Sequence, residues 1–258
     1  MRFDNMKCVL RGTLLAMTAT ASLLAQRADV RTVGSAYSTI DQSGAYVLSA
    51  SIFAGTGSDG ITISGSGVTL DLNGQEILCP GNRGVAIRIN NAQNVVVRNG
   101  HISNCAMGII VNGSANVKLE GLVIRGIDSA PPETGIMVVQ SRNVVITGNM
   151  ILNTGLGLFI RGSRSFGNRI ENNTITGGTN AGLGICYNPT DTDRVGPQGD
   201  LIKGNLIRGF GIPVSINATS NFNVIQGNTL IYGAMAIRSD SKTTVDMDNI
   251  KVSTVPAI

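Results

Sequence analysis

The chain has 258 residues, of which 42% are hydrophobic and 4% aromatic, with no Trp, 33 Gly and a formal net charge of +4. A length of this size allows one large domain or two small ones, and a core without Trp must be filled by Val, Ile and Leu. The basic residues are scattered rather than clustered, which argues against a nucleic-acid partner, and one His with four Cys in no Cys-x-x-Cys spacing excludes a structural zinc site.

At the N-terminus Arg2, Lys7 and Arg11 precede an apolar stretch from Thr13 to Ala25, with small residues at Ala19, Ala21, Ser22 and Ala25. This pattern predicts a secretory signal peptide over 1–25; the rival readings are an amphipathic helix or a membrane anchor. The stretch is short of the roughly 20 apolar residues that span a bilayer. Removing it takes three of the 20 basic and one of the 16 acidic residues and leaves a net charge of +2. The expected location is therefore secreted or periplasmic. The mature chain reads as a single domain over 26–258, with an N-terminal cap over 26–60, coils over 61–252 and a closing end over 253–258 around Pro256.

From Gly60 onward a degenerate repeat of about 22–27 residues runs to the C-terminus, the mark of one supersecondary unit stacked many times. One unit is Gly108-Ile-Ile-Val111, Asn116-Val-Lys-Leu119, Gly121-Leu-Val-Ile124, and the next is Gly135-Ile-Met-Val138, Asn143-Val-Val-Ile146, Gly148-Asn-Met-Ile151. First strands are expected near Val85, Ile109, Ile136, Leu158, Ile185, Ile212 and Ile237. Alternation along them turns Ile109 and Val111, Ile136 and Val138, Leu158 and Ile160, Ile212 and Val214 inward. One outward column then reads Ala86, Ile110, Met137, Phe159, Cys186, Pro213, and the next Arg88, Asn112, Val139, Arg161, Asn188, Ser215. Ile110, Met137 and Phe159 would stack into an apolar stripe, either an association surface or a face buried beneath a loop. Cys79 and Cys105 lie one repeat apart, so they are either a disulfide between neighbouring coils or two buried thiols.

At the bend after the second strands stand Asn149, Asn173, Asn205, Asn228 and Asn249, residues that tolerate a left-handed bend and whose amides pair along a stack. This asparagine ladder between short strands, with the opening Ser38-Thr-Ile-Asp-Gln-Ser-Gly-Ala-Tyr-Val-Leu48 and Val68-Thr-Leu-Asp-Leu-Asn-Gly-Gln-Glu-Ile77, resembles the right-handed parallel β-helix proteins of the pectin-lyase-like superfamily. The nearest subgroup is the repeat proteins that include periplasmic nitrous-oxide-reductase maturation factors (NosD-like). The resemblance implies an all-β solenoid of about seven or eight coils with capped ends. It implies no single activity, because lyases, hydrolases, epimerases, adhesins and proteins without chemistry share the fold. It also implies that ligands lie along the outer face of the first sheet.

Two insertions flank that sheet, 128–133 with Glu133 and 187–200 with Asp191 and Asp193. Long loops on a rigid scaffold are where function gathers. Asp191 and Asp193, or one of them with Glu133, are the candidate catalytic pair, since glycosidic hydrolysis needs two carboxylates about 5–9 Å apart. The same pair offers oxygens to Ca2+ but falls short of the six to eight that such a site takes, so no cofactor is expected. Arg88, Phe159, Arg161, Asn188 and Arg194 would line a ligand groove with it. His101 falls on another sheet, with Val123 and Met150, and reads as an ordinary surface residue. The Arg-x-Lys signature that follows the histidine of polygalacturonases, the first-sheet aspartates of pectate lyases and the Asp-Pro-His motif of alginate epimerases are all missing. The expected function is to bind, with or without processing, an extracellular polysaccharide along the first sheet. The alternatives are an adhesin-like scaffold that self-associates through the Ile110/Met137/Phe159 stripe and, with less support, a periplasmic maturation factor.

Overall fold

The computed structural model describes residues 30–55, 58–81, 84–126, 134–179, 181–190 and 192–254. The chain divides into Met1–Arg31, of which only Val30 and Arg31 are described, and Thr32–Ile258. Every element in the described residues is a strand. The expected signal peptide lies outside them.

The β-branched and Leu-rich triplets of each repeat alternate inward and outward, and successive triplets pair in parallel with the same triplet one repeat later. Nine such strands form the first sheet: Ser38–Ile40, Ile61–Ile63, Val85–Asn90, Met107–Asn112, Thr134–Val139, Leu156–Arg161, Leu183–Asn188, Ile212–Ile216 and Ile237–Ser239. The other two faces of the solenoid are joined in one hydrogen-bonded sheet, because Gln93–Ser103 and Ala115–Arg125 run without a break through the corner between them. The left-handed residues Asn99 and Gly121 turn those two strands at the corner. The stack begins at Ser38, not at Ile61. Residues 38–53 already carry three strands that pair with Ile61–Ile63, Val68–Asp71 and Glu76–Leu78.

Inside, the core is columns of aliphatic side chains. Ile61, Ile87, Ile109, Ile136, Leu158, Ile185 and Val214 form one, all fully buried. Ile63, Ile89, Val111, Val138, Ile160, Tyr187 and Ile216 form the next. Burying each such side chain contributes roughly 1.5–3 kcal/mol.

The repeat's leading Gly has a steric cause. Gly108, Gly135, Gly157 and Gly184 lie in one buried column, where a Cβ would stand 2.5–2.7 Å from the carbonyl oxygen of the next coil and 2.5–2.8 Å from an Ile methyl on another face. The same column holds Ala86 and Pro213, and this sets the register of the two outer coils. Arg88, not Ala86, pairs with Ile110, and Ser215, not Pro213, pairs with Cys186. Val214 and Ile216 are the inward pair of their strand, while Ile212 pairs with Leu183 at its start.

Polar ladders thread the coils. In the asparagine ladder, Asn149, Asn173, Asn205 and Asn228 are at most 1% exposed. Each Nδ2 donates to the Oδ1 of the next Asn at 2.8–3.0 Å, ending on Asn249, and also to a main-chain carbonyl. The left-handed bend belongs to the residue before the ladder, Gly148, Asn172, Gly204, Gly227 or Asp248. The ladder residues themselves serve as hydrogen-bond columns. A second ladder runs Asn168, Asp200, Asn223, and a third Ser114, Ser141, Ser165. Cys79 and Cys105 are joined by a disulfide with Cα atoms 4.8 Å apart.

Candidate functional site

The outer face of the first sheet is built from two adjacent columns. The first reads Thr62, Arg88, Ile110, Met137, Phe159, Cys186, Ser215, Arg238. The second reads Asn90, Asn112, Val139, Arg161, Asn188. Parallel pairing spaces these side chains at about 4.8 Å along the stack. Ile110 and Cys186 are 7% and 3% exposed, so the apolar stripe is a half-buried floor in which Met137 and Phe159 offer the accessible area.

Charge on this face is placed at defined points. The Arg161 guanidinium lies over the Phe159 ring, 5.0 Å from its centroid. Arg88 is held by Asp59 through two hydrogen bonds, 2.5 Å from Nε and 3.0 Å from a terminal nitrogen, so its charge is already neutralised. Arg238 donates to Ser215 Oγ at 2.9 and 3.2 Å. Cys186 lies beside Phe159 and Ser215, with the Asn188 amide 3.7 Å from its sulfur. Burial pushes its thiol up to about 11, against the opposing pull of Arg238 and Arg161. A thiol with that pKa stays protonated at neutral pH and is a poor nucleophile.

The loop that follows Leu183–Asn188 folds back over the C-terminal edge of the same sheet. Asp193 Oδ2 accepts from Gln140 Nε2 and from the Ser163 main-chain N–H and hydroxyl, the last two at 3.2 and 3.1 Å. Gln140 in turn accepts from Arg164 N–H at 2.9 Å. Gly162, with φ +90°, leaves room for the Gln140 side chain, which would meet a Cβ there at 2.7 Å. Asp193 thus ties three coils together. The Ser163 N–H bond first, then the Gln140 amide, holds its carboxyl below the ordinary carboxylate value. A carboxylate kept ionised in this way is unsuited to donate a proton as a general acid.

Of the residues named from sequence, Phe159, Arg161, Asn188 and Asp193 come together around this face and its edge. Arg88 lies several coils away and is engaged by Asp59. Arg194 is exposed on the loop. Asp191 and Glu133 lie outside the described residues. Asn90 takes the place beside Asn112 that alternation alone gives to Arg88, two residues earlier, and Asp59, the partner of Arg88, precedes the repeat. Among the described residues no three His, Cys, Asp or Glu side chains are gathered as a metal site.

Residues 39–196 match the model of the family described as "Right handed beta helix region". No curated protein sequence matches the chain. Among solved structures, a double mutant of the periplasmic alginate epimerase AlgG is similar at 12% identity with TM-score 0.63, covering 82% of this chain and 55% of that one. An endo-xylogalacturonan hydrolase from Aspergillus tubingensis is similar at 11% identity with TM-score 0.57, covering 88% and 84%. A mutant tailspike protein of E. coli bacteriophage HK620 in complex with a pentasaccharide is similar at 9% identity with TM-score 0.53, covering 93% and 59%. The chain thus spans little more than half the length of the epimerase and the tailspike.

Proposed function

The chain belongs to the right-handed β-helix family, and from that premise we propose that it binds a polysaccharide along the outer face of its first sheet, outside the cytoplasm. The observation that carries this reading is the pairing of an apolar floor with a polar column. Met137 and Phe159 offer flat apolar area to the faces of sugar rings, with Arg161 stacked on Phe159. Asn112, Arg161 and Asn188 offer donors and acceptors to the hydroxyl edges at the same spacing. The alginate epimerase, the xylogalacturonan hydrolase and the tailspike complexed with a pentasaccharide support a carbohydrate ligand. The Cys79–Cys105 disulfide supports an oxidising compartment reached through the N-terminal segment.

The reading is of binding first. Asp193 is committed to its clamp, so a hydrolytic version would need Asp191 as the acid and Asp193 as the base or nucleophile. The test is a panel of acidic and neutral polysaccharides assayed for both binding and release of new reducing ends. Phe159→Ala and Arg161→Ala are each expected to weaken binding at least about tenfold, the loss of a desolvated stacking pair. Binding that ignores both substitutions, or no binding to any polysaccharide, overturns the reading. Product release that Asp191→Asn and Asp193→Asn each abolish while binding is retained would support the hydrolytic version.

A further inference from the structure

A second cluster lies on another face of the solenoid. Glu76–Leu78, Gln93–Ser103 and Ala115–Arg125 pair in register there, so that Glu76, His101 and Val123 form one outward column and Ser103 and Arg125 lie in the next. They line a depression of about 540 Å³ together with Ser51 and Asn104. Its anionic corner is organised. Glu76 Oε1 accepts the Ser103 hydroxyl at 2.5 Å, and the Glu76 N–H donates to Ser51 Oγ at 3.0 Å. Its cationic corner is not: the His101 and Arg125 side chains are exposed and enter no hydrogen bond or ion pair with the described residues. The Cys79–Cys105 disulfide closes the same edge and joins the coil that carries Glu76 to the coil that carries His101 and Ser103.

A guanidinium left unpaired on a rigid sheet is a ready partner for a planar carboxylate, which it can hold with two parallel hydrogen bonds. Glu76 has one oxygen taken and the other available to accept from hydroxyls. The two corners stand two coils and one in-face step apart, roughly 12 Å by the strand and residue spacings of a sheet. That distance exceeds one sugar ring, so a ligand that meets both corners carries its carboxylate and its hydroxyls on different units. We infer that this depression is a second glycan subsite, specific for an oligosaccharide of uronic acids, with one carboxylate on Arg125 and the hydroxyls of a neighbouring ring on Glu76. Its lining shares no residue with the first-sheet groove, so it does not depend on that groove.

His101 is the only histidine of the chain, so its imidazole resonances report on this depression without assignment of the rest. The full chain, labelled for proton–carbon correlation spectra, is titrated with trigalacturonate, galactotriose and inorganic phosphate. The expected result is a saturable shift of the His101 signals with trigalacturonate, at least about tenfold weaker with galactotriose and with the Arg125→Gln variant, in keeping with loss of a charge-assisted pair. Arg161→Gln, which alters only the first-sheet face, is expected to leave the titration unchanged; its failure to do so would move the ligand to the other groove and overturn the subsite. No shift at millimolar trigalacturonate, an equal response to galactotriose, or an equal response to phosphate would also overturn it. A null result here leaves first-sheet binding measurable through Phe159→Ala, so the two readings fail separately.

Discussion

Asp200 shows how much one side chain can cost a regular interior. It stands where the second ladder calls for an asparagine, 1% exposed, between Asn168 and Asn223. Burial raises its pKa from the ordinary 3.8 to about 6, and the hydrogen bonds from Asn168 pull it back only in part. The fully buried Tyr187 hydroxyl faces Asp200, and burial followed by the charge of Asp200 pushes the phenol well above its usual range. Because the folded state holds the Asp200 proton more tightly than the unfolded chain does, stability falls as pH rises from about 4 through about 6 and is level above that. Asp200→Asn removes that loss. It is expected to be neutral at pH 3 and to stabilise the protein by up to about 3 kcal/mol at pH 8, two pKa units at 1.36 kcal/mol each. Denaturant unfolding at the two pH values checks this; an equal effect at both would exclude the titration as its cause.

At the scale of the coil, the corner column decides what the alternation of apolar residues leaves open. A shift of one residue turns every side chain to the wrong face and is legible in the sequence; a shift of two keeps the faces and is not. That is why the outward column was expected to contain Ala86 and Pro213 while the structure places Arg88 and Ser215 there. The deciding contact is the approach of backbone to backbone at Gly108, Gly135, Gly157 and Gly184. Gly157→Ala sets a methyl 2.5 Å from both the Gly184 oxygen and the Ile175 Cγ2. It is expected to destabilise by about 1–3 kcal/mol, the cost of overpacking, and thermal unfolding measures it. The serine ladder obeys the same geometry. Its column passes from Ser165 to Pro197, which has no N–H to donate, and the buried Ser220 Oγ of the following coil is left without a partner. The asparagine ladder was legible as a recurring Gly-Asn. The serine and Asn168–Asp200–Asn223 ladders were not, since Ser and Asp interrupt any one-letter repeat, and the Asp193 clamp joins residues far apart in sequence.

For the molecule as a whole, the ends matter as much as the stack. In the last coil the inward positions opposite Ile225 and Leu230 are filled by Asp246 and Lys251. They form an ion pair at 2.5 Å, with Asn249 donating to the same carboxylate. A charged pair in place of the aliphatic column puts polar groups, rather than an apolar face, on the last described coil, the part an atypical terminal repeat plays. Replacing the pair by Asp246→Val with Lys251→Ile is expected to convert the protein to concentration-dependent oligomers. Sedimentation velocity against the parent chain checks it, and a variant that sediments as the parent does at all concentrations would remove this role from the pair. The disulfide acts on the N-terminal side of the stack, between its second and third coils. It closes a loop of 26 residues, a constraint on the unfolded chain worth roughly 3.5 kcal/mol.

The repeat by itself determined that this is an all-β parallel solenoid, which residues face its core and where the asparagine column runs, because those properties follow from local alternation and a fixed period. Only the tertiary structure decided which coils align with which, that Arg88 is spent on Asp59, that Asp193 is a clamp, and that Glu76, His101 and Arg125 share a depression. Each of these depends on contacts between coils, where a side chain's role is set by the neighbour stacked above it and not by the residues beside it in the chain.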